Sequence, residues 1–304
     1  MKLRVATRGS KLSRIQTLEA LEYVRRRAGT RIDFELVIVK TRGDRYSDRP
    51  FTMIGGKGVF EKEVNLAVIE GRADIAVHSM KDVPSDVDPR LVLAAVPPRG
   101  SPFDVLVSRG NSAKTLWELA HGAIVGTSSA RRAAFLKKAR SDLVIKPLRG
   151  NVDTRLRKLD SGMYDAIVLA EAGLQRLGVR REYWRIPPEI IPPAPGQGII
   201  GIYSLRQRIE LLRILRKTSH QPTLAEAMAE RAFLAYAGGG CHVPLGGYAQ
   251  TVNGRLKFIA GIASANGGEA VMIEVEGDIE RPSQLGIEAA FELRRLAGNA
   301  GIKY

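Results

Sequence analysis

The sequence predicts an α/β fold, because β-like runs alternate with helical ones along most of the 304 residues. Two proline- and glycine-rich stretches interrupt this alternation, "VPPRGSP" at 96–102 and "IPPAPGQG" at 191–198. Neither stretch can continue a helix or a central strand. From about Thr223 the pattern changes to one helix, three alternating strands and a closing helix, which is typical of an antiparallel sheet packed by helices.

The first unit has the strand–helix alternation of a parallel sheet. Its predicted elements are a strand at 3–7, a basic helix at 11–28, a strand at 34–41, an amphipathic helix at 58–71 that ends at Gly71, and a buried strand at 73–80.

The alternation restarts after the first interruption. Strands are predicted at 103–108, 123–128, 143–149 and 165–170, with helices near 130–140, 152–161 and 171–177. After the second interruption, "IIGIYSL" at 199–205 is predicted to return to the sheet of the first unit. A unit that is entered and left through paired linkers has two hinges and can close around a ligand. The alternative is two long loops within one larger domain.

We therefore predict two lobes joined by two hinge strands, followed by a small α+β domain with helices at 224–238 and near 283–297. The predicted boundaries are 1–97 with 197–218 for lobe 1, 101–192 for lobe 2 and 222–304 for the third domain.

The composition favours an anionic partner, since 47 basic residues stand against 32 acidic ones and give a formal charge of +15. Between 103 and 193 there are 16 basic and 9 acidic residues. Aromatic residues make up only 6% and do not interleave with the basic ones, which argues against stacking on nucleic-acid bases. A solvated basic surface is the alternative explanation.

The chain has a single cysteine, Cys241, so no internal disulfide can form and a reducing cytoplasm is expected. The four histidines do not cluster with it, and no metal site is expected. No apolar run is long enough to span a bilayer, and the first residues lack the apolar stretch of a signal peptide.

Hydroxyl and cationic side chains follow four of the predicted strands, at the ends where parallel sheets place their ligands. Helix N-termini and arginine side chains both suit carboxylates and phosphates. Each residue also has an ordinary structural explanation, as a helix cap or a surface charge. The residues are Arg8 and Ser10 after the first strand, Lys81 and Asp82 after the third, Ser128, Ser129, Arg131 and Arg132 after 123–128, and Arg149 and Arg155 after 143–149.

Asp82 is the one acid among these bases. It either pairs with a neighbouring cation or, kept ionised, stabilises a positive charge that develops on a substrate. His78 is predicted to be a packed core histidine. "GGKG" at 55–58 lacks the Ser/Thr of a phosphate-binding loop and is predicted to be a mobile loop.

Seven stretches resemble the hydroxymethylbilane synthase family, also called porphobilinogen deaminases. They follow the family's order from Ala6 to Ala249 and are "ATRGS", "GGKGVFEKE", "ADIAVHSMKDVP", "VGTSSARR", "LRGNVDTRL", "APGQG" and "GGGCHVPLGGYA". The resemblance implies two lobes of the type II periplasmic-binding-protein fold and a third domain that carries the cysteine. It also implies a monomer.

The implied reaction joins four porphobilinogen molecules head to tail, with loss of ammonia from each, to the linear tetrapyrrole of haem biosynthesis. The family's dipyrromethane cofactor would be attached to Cys241 through a thioether, and Asp82 would be the catalytic aspartate. The remaining implied residues are Ser10, Lys81, Asp82, Ser128, Ser129, Arg131, Arg132 and Arg155 for the cofactor, and Arg8, Arg149, Arg155 and Arg176 for the substrate.

Two other classes remain open from the residues alone. An anion-binding receptor would also have two hinged lobes with cationic helix N-termini, although it would need neither Asp82 nor Cys241. The case for a nucleic-acid-binding protein rests on the charge alone. No partner other than the small-molecule substrate is expected.

Overall fold

The computed structural model describes residues 1–41, 61–238 and 243–302. Its strands, in chain order, are β1 (Lys2–Arg8), β2 (Asp33–Val39), β3 (Ile75–Ser79), β4 (Leu91–Ala95), β5 (Asp104–Ser108), β6 (Ile124–Gly126), β7 (Val144–Lys146), β8 (Ala166–Ala170), β9 (Trp184–Arg185), β10 (Ile200–Leu205), β11 (Leu245–Val252), β12 (Arg255–Ala263) and β13 (Ala270–Asp278). Its helices are α1 (Lys11–Arg27), α2 (Lys62–Ile69), α3 (Ala130–Ala139), α4 (Val152–Asp160), α5 (Glu171–Arg176), α6 (Ile209–Thr218), α7 (Gln221–Tyr236) and α8 (Pro282–Asn299).

The first sheet has the strand order β2-β1-β3-β10-β4. β1 pairs in parallel with β2 and β3, whereas β10 runs antiparallel to β3 and β4. Helices cover both faces: Leu21 of α1 packs with the cluster around Val5, and Val68 of α2 packs with the cluster around Ala76. The central strand β3 is therefore buried on both sides, which explains its almost continuous apolar sequence.

The second sheet has the order β7-β6-β8-β5-β9 and is built in the same way. β6 pairs in parallel with β7 and β8, and β5 runs antiparallel to β8. The α/β fold is thus confirmed, and residues 199–205 return to the first sheet as predicted, through β10. The chain passes between the two sheets twice, from β4 to β5 and from β9 to β10.

Both sheets are mixed, although the strand–helix alternation predicted parallel sheets. The antiparallel members β5 and β10 are the strands that enter directly from the two linkers. A strand that arrives through a linker has no helical crossover to keep it parallel. Because β5 is buried along its whole length, its apolar sequence does not reveal its direction.

The sequence analysis did not predict β4 or α6. β4 is a five-residue apolar run beside the first linker, and such short runs do not distinguish a strand from other buried segments. α6 begins after Arg208, whose side chain makes no capping hydrogen bond, so the usual start signal is missing.

The third sheet is antiparallel, with the order β11-β12-β13, and α7 and α8 pack on it. Phe233 of α7 lies against Phe258 of β12, with ring centroids 5.1 Å apart. Gly286 of α8 faces the backbone of Ala229 so closely that a Cβ atom there would clash with its carbonyl oxygen. The predicted small α+β unit after Thr223 is therefore confirmed in its elements.

A buried ion pair joins this third sheet to both linkers. Arg99 of the first linker donates from Nη1 to Glu230 of α7 at 2.6 Å and from Nε to the Gln197 carbonyl of the second linker at 3.0 Å. Glu230, 1% exposed, also accepts hydrogen bonds from the backbone N–H groups of Gly196 and Ala249. Burial raises the pKa of Glu230, and Arg99 opposes that rise.

We expect Glu230→Ala to lower the free energy of unfolding by about 3 to 5 kcal/mol, because buried Arg99 would lose its direct carboxylate partner, keeping only Glu226 at 3.6 Å, and the N–H groups of Gly196 and Ala249 would lose their acceptor. Chemical denaturation measures the change. Glu210→Ala removes an exposed carboxylate that lies 3.7 Å from Arg213, and should change the stability by less than about 1 kcal/mol. Equal effects of the two substitutions would contradict the role given to Glu230.

Candidate functional site

The loop after β3 places Asp82 in the wall of a pocket. Met80–Asp82 form one 3₁₀ turn, and the Met80 N–H donates to the Ile199 carbonyl at 2.9 Å. Gly196, with a φ of 78°, lies close to this turn. A Cβ atom at Gly196 would be 2.8 Å from the backbone nitrogen of Lys81. Asp82 itself is exposed. We call this cavity the Asp82 pocket; its walls include Arg8, Ser13, Glu61, His78, Ser79 and Asp82.

Arg131 and Arg132 begin α3 and share one buried carboxylate, that of Asp104 in β5. Arg131 Nη1 lies 2.7 Å from Asp104 Oδ2, and Arg132 Nη2 lies 2.7 Å from Oδ1. Burial opposes ionisation of Asp104, yet the two guanidinium groups hold its pKa well below the usual range. Two cations thus surround one anion in a region that is less than 10% exposed, which leaves a surplus of positive charge.

Lys81 extends this cationic region toward Asp82. Its Nζ donates to Gln197 Oε1 at 3.3 Å, and Gln197 Nε2 donates to Asp104 Oδ1 at 2.9 Å. Burial and the positive charge of Arg132 lower the pKa of Lys81 to about 8, although Asp82 and Asp104 favour its protonation. Lys81 is therefore still a cation at neutral pH.

Arg155, in α4, is a further cation near Arg132. Gly150, with a φ of 111°, turns the chain so that its carbonyl oxygen accepts from Arg155 Nε at 2.8 Å. Burial, Arg132 and Arg149 lower the pKa of Arg155 to about 10, and Asp82 acts in the opposite direction. Arg155 thus lies within electrostatic reach of residues that follow β3 and β6.

The three predicted serines make local hydrogen bonds. Ser10 and Ser129 are the N-cap residues of α1 and α3, accepting from the N–H groups of Ser13 and Arg132. Ser128 Oγ donates to the Leu148 carbonyl at 2.9 Å, and joins the β6 and β7 loops. The capping explanation therefore holds for Ser10 and Ser129, whose hydroxyls also lie at helix N-termini.

Arg176 lies apart from the Asp82 pocket, between the two sheets. Its Nε donates to Glu19 of α1 at 2.8 Å, and its Nη2 donates to the Gly198 carbonyl at 3.1 Å. The side chain is 8% exposed. Arg176 therefore joins α5 to the first unit and to the second linker.

His78 is buried, as predicted, and packs edge-on against Tyr203 with ring centroids 5.7 Å apart. Burial and the nearby Arg8 lower its pKa to about 3, so it is neutral at physiological pH. It also contributes to the wall of the Asp82 pocket, which a purely structural interpretation did not anticipate.

Asp104, Gln197 and Glu61 were missed by the sequence analysis. An available signal for Asp104 was its position as an acid at the start of an apolar strand directly after a linker. Cys241 and the "GGKG" segment lie outside the described residues. Of the flanking elements, α7 ends at Tyr236 and β11 begins at Leu245.

Within residues 1–41, 61–238 and 243–302, no group of three His, Cys, Asp or Glu side chains is arranged to hold a metal ion. Across the same residues, none of the helices is both long and apolar enough to cross a membrane.

Two family models match the chain. Residues 3–213 match "Porphobilinogen deaminase, dipyromethane cofactor binding domain", and residues 224–295 match "Porphobilinogen deaminase, C-terminal domain".

Curated relatives agree over almost the whole chain. A probable porphobilinogen deaminase of Hyperthermus butylicus is 67% identical over 302 residues, which cover 99% of each chain. One from Pyrobaculum calidifontis is 49% identical and covers 97% of this chain and 99% of the relative. A porphobilinogen deaminase of Desulforudis audaxviator is 44% identical, with 96% and 94% covered.

Among solved structures, the VFT2 domain of Bordetella pertussis BvgS is 20% identical and aligns with a TM-score of 0.43 over 71% of this chain and 86% of that domain. Substrate-binding domain 2 of Lactococcus lactis GlnP is 14% identical, with a TM-score of 0.41 and coverage of 71% and 87%. Both scores are too low to support an inference about this chain.

The family models and the relatives agree, and they select the enzyme among the classes that the residues left open. The chain belongs to the porphobilinogen deaminase family, the dipyrromethane-dependent transferases that convert porphobilinogen to hydroxymethylbilane in tetrapyrrole biosynthesis.

Proposed function

We propose that Asp82 is the catalytic group and that the cations around it bind the carboxylates of substrate and cofactor. The observation that carries this proposal is the position of Asp82 in the wall of a pocket beside Arg8, with Lys81 and Arg155 near enough for its negative charge to raise their pKa values. Each pyrrole of the substrate carries an acetate and a propionate. A pocket with surplus positive charge suits such a ligand.

The chain's own residues fit a bound dipyrromethane. Arg131 and Arg132 share one carboxylate, and Lys81 adds a third positive charge next to them. Buried cations in excess of anions favour an anionic ligand. We assign the cofactor carboxylates to this group; its proposed members are Ser10, Lys81, Asp82, Ser128, Ser129, Arg131, Arg132 and Arg155.

The cofactor attachment is proposed at Cys241, through a thioether. When bound, the dipyrromethane supplies the pyrrole to which the first substrate molecule is joined. The connection from α7 to β11 holds Cys241, and β11 is tied to the second linker because the Gly247 N–H donates to the Pro193 carbonyl at 2.8 Å.

Asp82 would act on the substrate as ammonia leaves. Loss of ammonia from porphobilinogen leaves a cationic azafulvene, and a carboxylate beside the pyrrole N–H stabilises that charge. The same carboxylate can accept or return a proton during the step.

Arg8, Arg149 and Arg155 are proposed to bind the substrate carboxylates. The positive charge of Arg149 contributes to the lowered pKa of Arg155, so the two side chains lie near each other after β7, and Arg8 lines the Asp82 pocket. Arg176, the fourth predicted residue, donates to Glu19 and Gly198, so its proposed contribution is indirect: it holds the two lobes around the substrate.

We also propose the domain limits 1–97 with 197–218, 101–192 and 222–304, a monomeric state and a cytoplasmic location. The strand composition of the three sheets supports the limits. The single cysteine supports a reducing compartment.

We expect Asp82→Asn to keep the fold and the cofactor but to lower kcat by at least about a hundredfold, because the amide cannot stabilise a cation as a carboxylate does. Steady-state turnover of porphobilinogen measures this. Asp86→Asn, an exposed acid in the same loop, is the matched control and should leave kcat unchanged. Near-normal turnover in Asp82→Asn would refute the assignment.

We expect the purified chain to carry an adduct with the mass of two pyrrole units, and Cys241→Ser to lack it. Intact-mass spectrometry on protein from a host that makes porphobilinogen gives the answer. An adduct that persists in Cys241→Ser would place the attachment elsewhere, and an unmodified wild-type chain would argue against a covalent cofactor.

We expect Lys81→Met to stabilise the cofactor-free protein at pH 7 by about 1 kcal/mol, because the buried ammonium is costly without a bound carboxylate. The folded-state pKa, about 8, lies below the ordinary 10.5, so this cost is full at pH 7 and disappears as pH rises from 8 toward 10.5. Thermal melting at pH 7 and pH 10 tests both parts. Lys114→Met, at an exposed site, should change neither value.

A further inference from the structure

The Asp82 pocket contains a second carboxyl group, Glu61, for which the proposed function has no role. Glu61 lies directly before α2 and is 7% exposed. It lines the same pocket as Asp82 and Arg8. A carboxyl group this deeply buried needs a partner, either within the protein or in a ligand.

Among the described residues, Glu61 is held through its Oε2 atom. Its Oε2 accepts from Asn65 Nδ2 at 3.0 Å, and the ring nitrogen Nε2 of His78 lies 2.9 Å from Asn65 Oδ1. Within the described ranges, Oε1 accepts no hydrogen bond and is not among the polar atoms sealed from solvent. Oε1 is therefore the oxygen of Glu61 that has no hydrogen-bond donor among the described residues.

The charges around Glu61 come from several elements. Lys62 and Glu63 follow it on α2. The pocket wall adds Arg8 of β1, neutral His78 of β3 and Asp82 of the 3₁₀ turn. Tyr203 of β10 is also near Glu61, and it lies within the electrostatic reach of Arg231. Burial and the negative charge of Glu63 raise the pKa of Glu61 to about 7. The pocket thus contains two carboxyl groups with different environments, a common basis for dividing chemical roles.

The substrate presents charges of both signs. Its two carboxylates suit Arg8 and the other cations, but its aminomethyl group is a cation at neutral pH and is repelled by them. An ammonium in such a surrounding requires a carboxylate acceptor. Asp82 is assigned to the pyrrole N–H, and Glu61 is the other carboxyl group among the described residues that line the pocket.

We propose that Glu61 binds the aminomethyl group of porphobilinogen and is the residue that selects a substrate carrying this leaving group. Asn65 and His78 are positioning residues, because they orient Glu61. As the carbon–nitrogen bond breaks, its electron pair leaves with the nitrogen as ammonia, and the positive charge passes to the pyrrole ring beside Asp82. Glu61 neither gains nor loses a proton in this step. The proposal rests on the assignment of the Asp82 pocket as the substrate site.

Binding of the ammonium group should change the number of protons bound to the protein, and this change can be measured. A cation beside Glu61 favours its ionised form, so substrate binding should lower the pKa of Glu61 below its unliganded value of about 7 and release protons near pH 7. An analogue with a methyl group in place of the aminomethyl group should not do so. The two ligands share their carboxylates, so any proton uptake by Lys81 is the same for both.

The test uses cofactor-loaded Asp82→Asn protein, which binds without turnover and has no Asp82 proton to release. Isothermal titration calorimetry in buffers of different ionisation enthalpy gives the affinity and the proton count for each ligand. We expect porphobilinogen to release protons at pH 7 and the methyl analogue to release none. Adding Glu61→Gln should abolish the proton release and lower the affinity for porphobilinogen by about tenfold or more. The affinity for the methyl analogue should stay unchanged.

Glu70→Gln, at the exposed C-terminal end of the same helix, is the matched control and should leave both ligands unaffected. A purely structural role for Glu61 would weaken both ligands equally, and that result would overturn the proposal. So would equal proton release by the two ligands.

A third measurement does not depend on the folding of Glu61→Gln. In Asp82→Asn alone, the ratio of the affinity for porphobilinogen to that for the methyl analogue should rise between pH 6 and pH 8.5, with the midpoint of the rise near pH 7. A ratio that does not change with pH would overturn the proposal. Failure of the underlying site assignment is distinguishable, because Asp82→Asn would then retain turnover.

Discussion

The carboxylate of Asp104 is the interaction on which the geometry of the site depends. It receives Arg131, Arg132 and Gln197, which come from the helix after β6 and from the second linker. Through Gln197 it is also connected to Lys81 in the other lobe. Without this anion, the guanidinium groups of Arg131 and Arg132 would repel each other. The hydrogen bonds that join β5, α3 and the second linker would also be lost.

The same carboxylate explains why the pocket remains cationic although it is built around an acid. One negative charge cannot neutralise two guanidinium groups, and the nearby Lys81 and Arg155 add to the excess. Their lowered pKa values show that the protein bears a cost for this arrangement. Such a cost is typical of sites whose missing counter-charge is a ligand.

The sequence predicted the parts of this arrangement that rest on local pattern. The apolar runs located β1, β3 and β8, and the strand-end loops identified Lys81, Asp82 and Arg155 as neighbours. What it could not predict depends on distant pairing. Asp104 meets Arg131 across 27 positions, and Gln197 meets Lys81 across 116, so no local pattern marks either pair. The antiparallel direction of β5 and β10 escaped prediction for the same reason, and the burial of Glu61 depends on the packing of α2 against β1 and β3.

The ion pair between Arg99 and Glu230 has a consequence for how this protein can be divided. The guanidinium belongs to the first linker, whereas its carboxylate and the Ala249 carbonyl that also accepts from it belong to α7 and β11. A chain cut before α7 would therefore leave Arg99 of the first linker bonded to the Gln197 carbonyl of the second linker but without its partners in α7 and β11. The C-terminal unit is in this sense a structural support of the two connections between the lobes.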